Sequence, residues 1–192
     1  ALLRGAIAPD RDLLLAYNEE LVRPASALIA ARRAFVDELA AATAAIYGRW
    51  EGTRERLGVT YAANPDGDVA EALAGHVEQE LRRRTTLIGP HRDDLHLLVE
   101  GKPLAAFGSQ GQQRTAVLAL KVGEYDVMRT RSGDAPILLL DDVLSELDAE
   151  RAAGFLGAVS DYEQAFLTAT EPPGALHGAA TWSIRAATVS RC

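Results

Sequence analysis

Apolar and polar positions along this chain follow two rhythms, and the change of rhythm divides it. From Asp12 to about Tyr47 apolar residues return at three- and four-residue steps, through Leu28, Phe35, Leu39, Ala42 and Ile46, with Arg32, Arg33, Asp37 and Glu38 beside them. That spacing predicts an amphipathic helix. Pro24, which has no N–H for the ladder, favours a break or kink, and Gly48 is expected to stop the helix. The stripe suits packing on a neighbouring helix, with a coiled-coil arm or a partner groove as alternatives. Val59 to Ala63 then reads as a short strand, Asn64-Pro65-Asp66-Gly67 as a turn, and Asp68 as the N-cap of a helix to about Arg84. Val69, Leu73, Val77 and Leu81 share one face of that helix.

Beyond residue 84 the apolar runs shorten. Thr85 to Ile88, Leu95 to Val99 and Leu104 to Phe107 predict short strands, the last two joined by a Glu100-Gly101-Lys102 turn. A helix from Ser109 to about Arg131 follows, then a strand at Ile137, a helix from about Asp148 to Val159, a strand near Ala165 to Thr168 and a last strand around Trp182 to Val189. Alternation of strand and helix predicts an α/β fold with a parallel or mixed sheet. The run Ile137-Leu138-Leu139-Leu140 suits a strand buried on both sheet faces, and it ends in Asp141-Asp142. Carboxylates at the C-terminal end of such a strand lie where parallel sheets present ligands, and one Asp there can hold a phosphate-bound magnesium ion.

Composition narrows the class. With 192 residues and 48% hydrophobic content, the chain can build one substantial core or a core plus a small helical lobe. No run has the length of a membrane span, and the first residues lack a signal-peptide pattern. The single Cys192 excludes an internal disulfide framework and fits a reducing interior. A net charge of −7 and a pI near 5.1 argue against a uniformly basic nucleic-acid coat, so any DNA contact must be local. Arg82-Arg83-Arg84, Arg32-Arg33 and Arg129 with Arg131 are the candidates, but each lies near acidic residues and reads as a solvated face.

Three segments carry chemistry. Ser109-Gln110-Gly111-Gln112 opens a helix directly after Gly108, where free N–H groups and the helix dipole favour an anion, although a simple serine cap explains the same residues. Asp142, by its position alone, can serve as an N-cap for the next turn. The Gly89-Pro90-His91-Arg92-Asp93-Asp94 loop admits metal ligation, a His/Arg–Asp ion-pair network bolting the Ser109 helix to its sheet, or DNA or phosphate contact by His91 or Arg92. His76, His96 and His177 have no partners at ligand spacing. A phosphate-cradling G-x-x-x-x-G-K-[ST] loop does not occur, and Gly101-Lys102, before Pro103, looks like a hairpin turn. Because the sequence also begins at Ala1, it is expected to be the C-terminal part of a longer protein whose N-terminal part carries that loop.

The serine-led helix, spaced before a carboxylate-tipped strand, resembles the ATP-binding-cassette superfamily, whose signature is commonly L-S-G-G-Q. Ser109, Gly111 and Gln112 match it, while Gly108 and Gln110 depart. Adding the Gly89–Asp94 loop and L-L-L-D-D-V-L-S-E-L-D from Leu138 to Asp148, essentially the whole chain is similar to the RecF family of bacterial recombination mediators, related to the heads of Rad50 and chromosome-maintenance proteins. The resemblance implies a mostly helical lobe over 1–84 and the C-terminal part of an ABC-type ATPase domain over 85–192. It implies that Ser109, Gln110, Gly111 and Gln112 meet nucleotide bound by the other subunit of a dimer. Asp141 would help hold magnesium, mostly through water. Asp142, in place of the more usual Glu, would orient or deprotonate the attacking water, and its shorter side chain implies slow turnover. Ser145, Glu146, Leu147 and Asp148 would form the D-loop across the dimer, with Asp148 also able to cap the next helix, and Thr170 would take the position of the switch histidine. His91, Arg92 and Asp93 would form a DNA-contacting or structural loop.

The same resemblance implies ATP and Mg2+ as cofactors, an ATP-dependent homodimer, DNA at single-strand/double-strand junctions, and partnership with RecR and indirectly RecA. It further implies gap repair, replication recovery and the SOS response, a cytoplasmic, nucleoid-associated location and no membrane. This piece alone is expected to be inactive. The alternatives are a Rad50-like or chromosome-maintenance-like head, against which stands the lack of a long coiled-coil insertion between the Gly89 loop and the Ser109 helix, and a non-catalytic protein-binding module.

Overall fold

The computed structural model describes Leu3 and residues 10–50, 55–159, 162–171, 179–185 and 188–191. His177, Cys192 and the side chain of Glu146 lie outside what is described. The first long element, α1 (Arg11–Trp50), is a single helix of 40 residues, about 60 Å at 1.5 Å per residue. Pro24 does not break it. Glu20 and Pro24 are both exposed, so the carbonyl that Pro24 leaves without a donor meets water, while Ala25 and Ile29 in the next turn are held in a buried cluster. Nor does Gly48 end it: Tyr47 and Trp50 are buried around it, and Trp50 sets its ring edge-on to Phe155 at 5.3 Å. Burial of those rings outweighs the roughly 1 kcal/mol a helical glycine costs. The buried face runs through Leu14, Asn18, Ala25, Ile29, Val36, Leu39, Thr43 and Ile46. Leu28, expected on it, is instead 43% exposed.

Two partners share this helix. Its first half packs on α2 (Val69–Arg83), with Ala25 and Ile29 against Val69 and Leu73. Asp68 caps α2 by accepting the Glu71 N–H at 2.8 Å, as its position predicts. Its second half packs on α4 (Gln110–Ser132), where a Cβ on Gly123 would stand 2.7 Å from Thr43 Oγ1, so a missing side chain lets the two helices close up. Arg131 on α4 also reaches back to α1, donating to both oxygens of Glu38 at 3.0 Å and covering the Phe35 ring at 5.3 Å.

Three small sheets complete the described fold. β1 (Leu57–Ala62) pairs antiparallel with β2 (Asp94–Val99), Leu57 opposite Val99, and β2 turns into β3 (Lys102–Pro103). Glu100 and Gly101 both take positive φ, the twist a two-residue hairpin needs. This sheet joins a strand from before residue 84 to one after it. Two expected strands do not form. At Thr85–Ile88 the Leu87 and Ile88 N–H groups bond to Oε1 of buried Glu80, at 2.6 and 3.2 Å, in place of a neighbouring strand. Leu104–Phe107 coils into one helical turn, α3, closed by the Gly108 N–H on the Leu104 carbonyl at 2.8 Å.

β4 (Leu138–Leu140) and β5 (Ala165–Leu167) form a parallel pair, linked through α5 (Ala149–Val159), the βαβ pattern that the alternation predicts. β4 is covered on one face, not both. Leu138 and Leu140 enter the main core with Phe155, Leu156 and Tyr47, whereas Ile137 is 56%, Leu139 73% and Phe166 56% exposed on the other side. At the end of the chain the expected single strand is a hairpin of β6 (Trp182–Arg185) and β7 (Thr188–Arg191). The fold is α/β, its described sheets separately parallel or antiparallel, with no single mixed sheet among the described residues, and flanked by helices. None of the helices among the described residues is long and apolar enough to cross a membrane.

Candidate functional site

The parallel register brings the strand ends together. Leu140 stands opposite Leu167, so Asp141 and Thr168 leave the sheet side by side, and the Thr168 N–H continues the ladder onto the Leu140 carbonyl at 2.9 Å. The Thr168 hydroxyl donates to Asp141 Oδ1 at 2.6 Å and accepts the Asp142 N–H at 3.0 Å. Asp142 adopts a left-handed backbone, φ 52°, before the turn Val143–Glu146. Its side chain makes no capping bond, so the N-cap alternative is not realised there; the Asp142 carbonyl instead accepts the Ser145 hydroxyl at 2.9 Å. Both carboxylates are exposed at the C-terminal edge of the sheet.

Asp148 caps α5, accepting the Arg151 N–H at 2.9 Å, and pairs with the Arg151 guanidinium at 3.2 Å. Leu144 and Leu147 turn inward against the main core, which pins this loop while Ser145 and Asp148 stay exposed. Arg151 was not singled out from sequence, yet it crosses the start of α4: a Cβ on Gly111 would lie 2.0 Å from Arg151 Nη1. Glycine at 111 is therefore where the first turns of α4 and α5 meet.

Ser109 and Gln112 form a complete capping box. Ser109 Oγ accepts the Gln112 N–H at 3.2 Å and the Gln112 side chain accepts the Ser109 N–H at 2.8 Å. The Gln112 amide also donates to both oxygens of Glu55, at 3.1 and 2.9 Å, and Gln113 holds the approach by donating to the Gly108 carbonyl at 3.1 Å. Ser109 and Gln110 are exposed, Gly111 and Gln112 half-buried. The positive end of a 23-residue helix thus opens outward with its serine in a fixed pose.

The Gly89–Asp94 loop lies elsewhere. Asp93, with 5% of its side chain exposed, accepts Arg32 Nη1 at 2.6 Å, the Asn64 N–H at 2.8 Å and the Tyr61 hydroxyl. Burial opposes its charge, but the hydrogen bonds from Tyr61, Asn64 and Arg32 outweigh burial and hold the Asp93 carboxyl below the ordinary carboxylate value. Arg32 also donates to the Pro90 carbonyl at 2.6 Å. The network is real, but it bolts α1 to β1, not the Ser109 helix to its sheet. His91 Nε2 meets Thr86 Oγ1 at 2.9 Å and Arg92 donates to the Thr86 carbonyl at 2.8 Å, which folds the loop on itself. No group of three His, Cys, Asp or Glu side chains that could hold a metal occurs among the described residues.

In two of the arginine clusters the guanidinium groups pair with carboxylates: Arg33 with Asp66, Arg129 with Glu163 and Arg131 with Glu38 at exposed positions, and Arg32 with the Asp93 hub, where it is structural and not a solvated face. Thr170 is exposed, and the contact to the aspartates is made two residues earlier by Thr168. From sequence Thr168 is only the first residue of the segment that holds Thr170, because its contact to the aspartates depends on strand register; pairing the Leu140 and Leu167 strand ends was the signal that could have found that contact.

No family model matches the chain. It is 45% identical to the DNA replication and repair protein RecF of Chloroflexus aurantiacus, over 83% of this chain and 44% of that protein. It is 36% identical to the protein of the same name from Limosilactobacillus fermentum, over 95% of this chain and 53% of the relative. Among solved structures it is similar to the recombination mediator protein RecF-ATP in the RecFOR pathway, with a TM-score of 0.76 and 26% identity over 94% of this chain and 50% of the other. It also matches RecF-ATPrS of that pathway, with a TM-score of 0.80 and 28% identity over 99% and 54%. The chain spans about half the length of the curated relatives it matches.

Proposed function

The chain belongs to the RecF family, and we propose that it supplies the signature and carboxylate half of an ATP-driven DNA replication and repair mediator. Residues 1–84 form its mostly helical lobe and 85–192 the C-terminal part of its ATPase domain, sharing the β1–β2 sheet. One observation carries the reading: two exposed aspartates, neither side chain used as a cap, leave the C-terminal end of a parallel strand at a hydrogen-bonded edge.

The donor set fits magnesium, which prefers carboxylate oxygen and retained water. Bound there with ATP, magnesium would draw charge from the phosphate oxygens. Asp141 would help hold that shell, its carboxylate already oriented by the Thr168 hydroxyl on Oδ1. Asp142 orients, or takes a proton from, the attacking water. Ser109, Gln110, Gly111 and Gln112 present hydroxyl and N–H donors to the nucleotide of a partner copy, and Ser145 to Asp148 line the same dimer face. Thr170 lies beyond the strand end and serves as the switch position, where an uncharged hydroxyl supports slow turnover. Through that cycle the intact protein grips DNA at single-strand/double-strand boundaries, works with RecR toward RecA loading in gap repair, replication recovery and the SOS response, and releases on hydrolysis, in the cytoplasm at the nucleoid.

The test is nucleotide-dependent assembly. Full-length protein with ATP and Mg2+ is expected to dimerise in sedimentation, and this chain alone to stay unchanged, because G-x-x-x-x-G-K-[ST] is not in it. A full-length protein that neither binds ATP nor dimerises sinks the reading. A second reading, a protein-docking lobe, is favoured by the exposed stripe Leu13, Tyr17, Leu21 and Leu28 on α1; loss of a protein partner on Tyr17→Glu with dimerisation intact would support it.

A further inference from the structure

Thr168 opens the strand-end segment whose Thr170 takes the switch position, yet it is the Thr168 hydroxyl that joins Asp141 to Asp142. A hydroxyl has one proton to give. Here that proton goes to Asp141 Oδ1, at 2.6 Å, while the oxygen accepts the Asp142 N–H at 3.0 Å. The first bond fixes the Asp141 carboxylate and reserves its other oxygen. The second holds the peptide that brings Asp142 into its left-handed turn, φ 52°, a backbone that a non-glycine residue keeps only when its surroundings enforce it. The bond from the Thr168 N–H to the Leu140 carbonyl, at 2.9 Å, sets the threonine at this height.

We propose that Thr168 is a positioning residue of the nucleotide site: its hydroxyl aims the Asp141 carboxylate at the metal-bearing nucleotide and fixes the turn that presents Asp142. This rests on the reading of Asp141 and Asp142 given above. Groups that orient metal-holding side chains change metal affinity without touching the metal. A threonine that merely tied two strand ends would change stability and leave metal affinity alone.

The experiment uses the full-length protein with a slowly hydrolysed ATP analogue, and reads Mn2+ affinity by electron paramagnetic resonance alongside the Mg2+ dependence of ATP turnover. Thr168→Val removes the hydroxyl at near-constant volume, Thr168→Ala removes it without leaving a second methyl at the sheet edge, and Thr168→Ser restores it. Valine and alanine variants are expected to bind Mn2+ about tenfold or more weakly and to need correspondingly more Mg2+ for turnover. Metal-free nucleotide binding is expected to stay at the parent value, and serine to recover the parent Mn2+ affinity. Parent-like Mn2+ affinity in both Thr168→Val and Thr168→Ala, with Asp141→Asn impaired, overturns the role of Thr168 and leaves the site reading standing. Failure of Thr168→Ser to recover affinity overturns it too, since the hydroxyl is then not the cause. If Asp141→Asn itself binds Mn2+ like the parent, the site reading fails, and this proposal falls with it.

Discussion

Asp93 and Asp141 are both carboxylates that end or begin a strand, and they are finished in opposite ways. The Asp93 side chain is almost wholly covered, and its two oxygens receive three donors from α1, β1 and the turn after β1. Asp141 is exposed and receives the hydroxyl of Thr168 on one oxygen. A carboxylate whose lone pairs are satisfied inside the protein has little left to offer a ligand; one held at a single oxygen has direction and spare capacity. That difference ties the Asp93 carboxylate into the architecture and leaves the Asp141–Asp142 step open for the chemistry proposed for it, although the loop carries the denser charge in sequence.

The strongest way to break the comparison is to remove Asp93. Asp93→Ala leaves Arg32, the Tyr61 hydroxyl and the Asn64 N–H short of an acceptor, and is expected to destabilise the fold by about 3 kcal/mol in urea unfolding. A loss below about 0.5 kcal/mol, the range of ordinary surface changes, would mean that the loop is not structural. Next comes Asp142→Asn in the full-length protein. Turnover should fall about a hundredfold, the lower range for a proton-handling group, with the urea midpoint unmoved. Unchanged turnover removes Asp142 from the reaction, and a large stability loss would make it a second Asp93.

Acid should separate the two carboxylates further. The folded pKa of Asp93 lies below its ordinary value, so its contribution is fully present above the unfolded pKa near 4 and is lost as pH falls through the lower folded value. The urea midpoint is therefore expected to drop on acidification below about pH 4, and Asp93→Asn to flatten that drop. Glu38 is lowered by the bond from Arg131 and acts in the same direction, but it is exposed, and about 1 M salt with its roughly 3 Å screening length removes its share. If the acid slope vanishes in salt while Asp93 is intact, the assignment of the slope to Asp93 is wrong.

Local signals in the sequence carried far. The Asp68 cap, the Ser109 cap and the Gly101 hairpin each depend on residues within a few positions of one another, and each is found, as is the βαβ order that the alternation of patterns predicts. What failed depended on distant partners. Pro24 and Gly48 carry helix-breaking propensity, but burial of Ala25, Ile29, Tyr47 and Trp50 overrides it. Thr85–Ile88 looks like a strand until Glu80, buried seven residues away, takes its N–H groups. The apolar Ile137 run suggested two covered faces, yet hydrophobicity alone does not say which face the chain itself covers. At the site, the aspartates and the serine cap were legible; Thr168 and Arg151 were not, because strand register and the approach of two helix starts place them.

The smallest effect sharpens the comparison most, because it holds chemistry constant and varies burial. Arg131 and Glu38 make two parallel bonds at 3.0 Å, against a single bond of 2.6 Å from Arg32 to Asp93. By bond count the first pair should matter more. Its side chains are 49% and 53% exposed, however, so water recovers both partners when the pair is broken, whereas Asp93 at 5% cannot be recovered in place. Glu38→Gln is therefore expected to cost far less than Asp93→Ala in urea unfolding, its small loss shrinking further in salt. Arg131→Ala should cost slightly more than Glu38→Gln, since it also uncovers the Phe35 ring at 5.3 Å, and that excess should survive salt because it is packing and not charge. A Glu38→Gln loss matching that of Asp93→Ala in urea unfolding would show that bond number, not desolvation, sets the worth of these pairs, and the separation of the Asp93 hub from the open Asp141 would lose its physical basis.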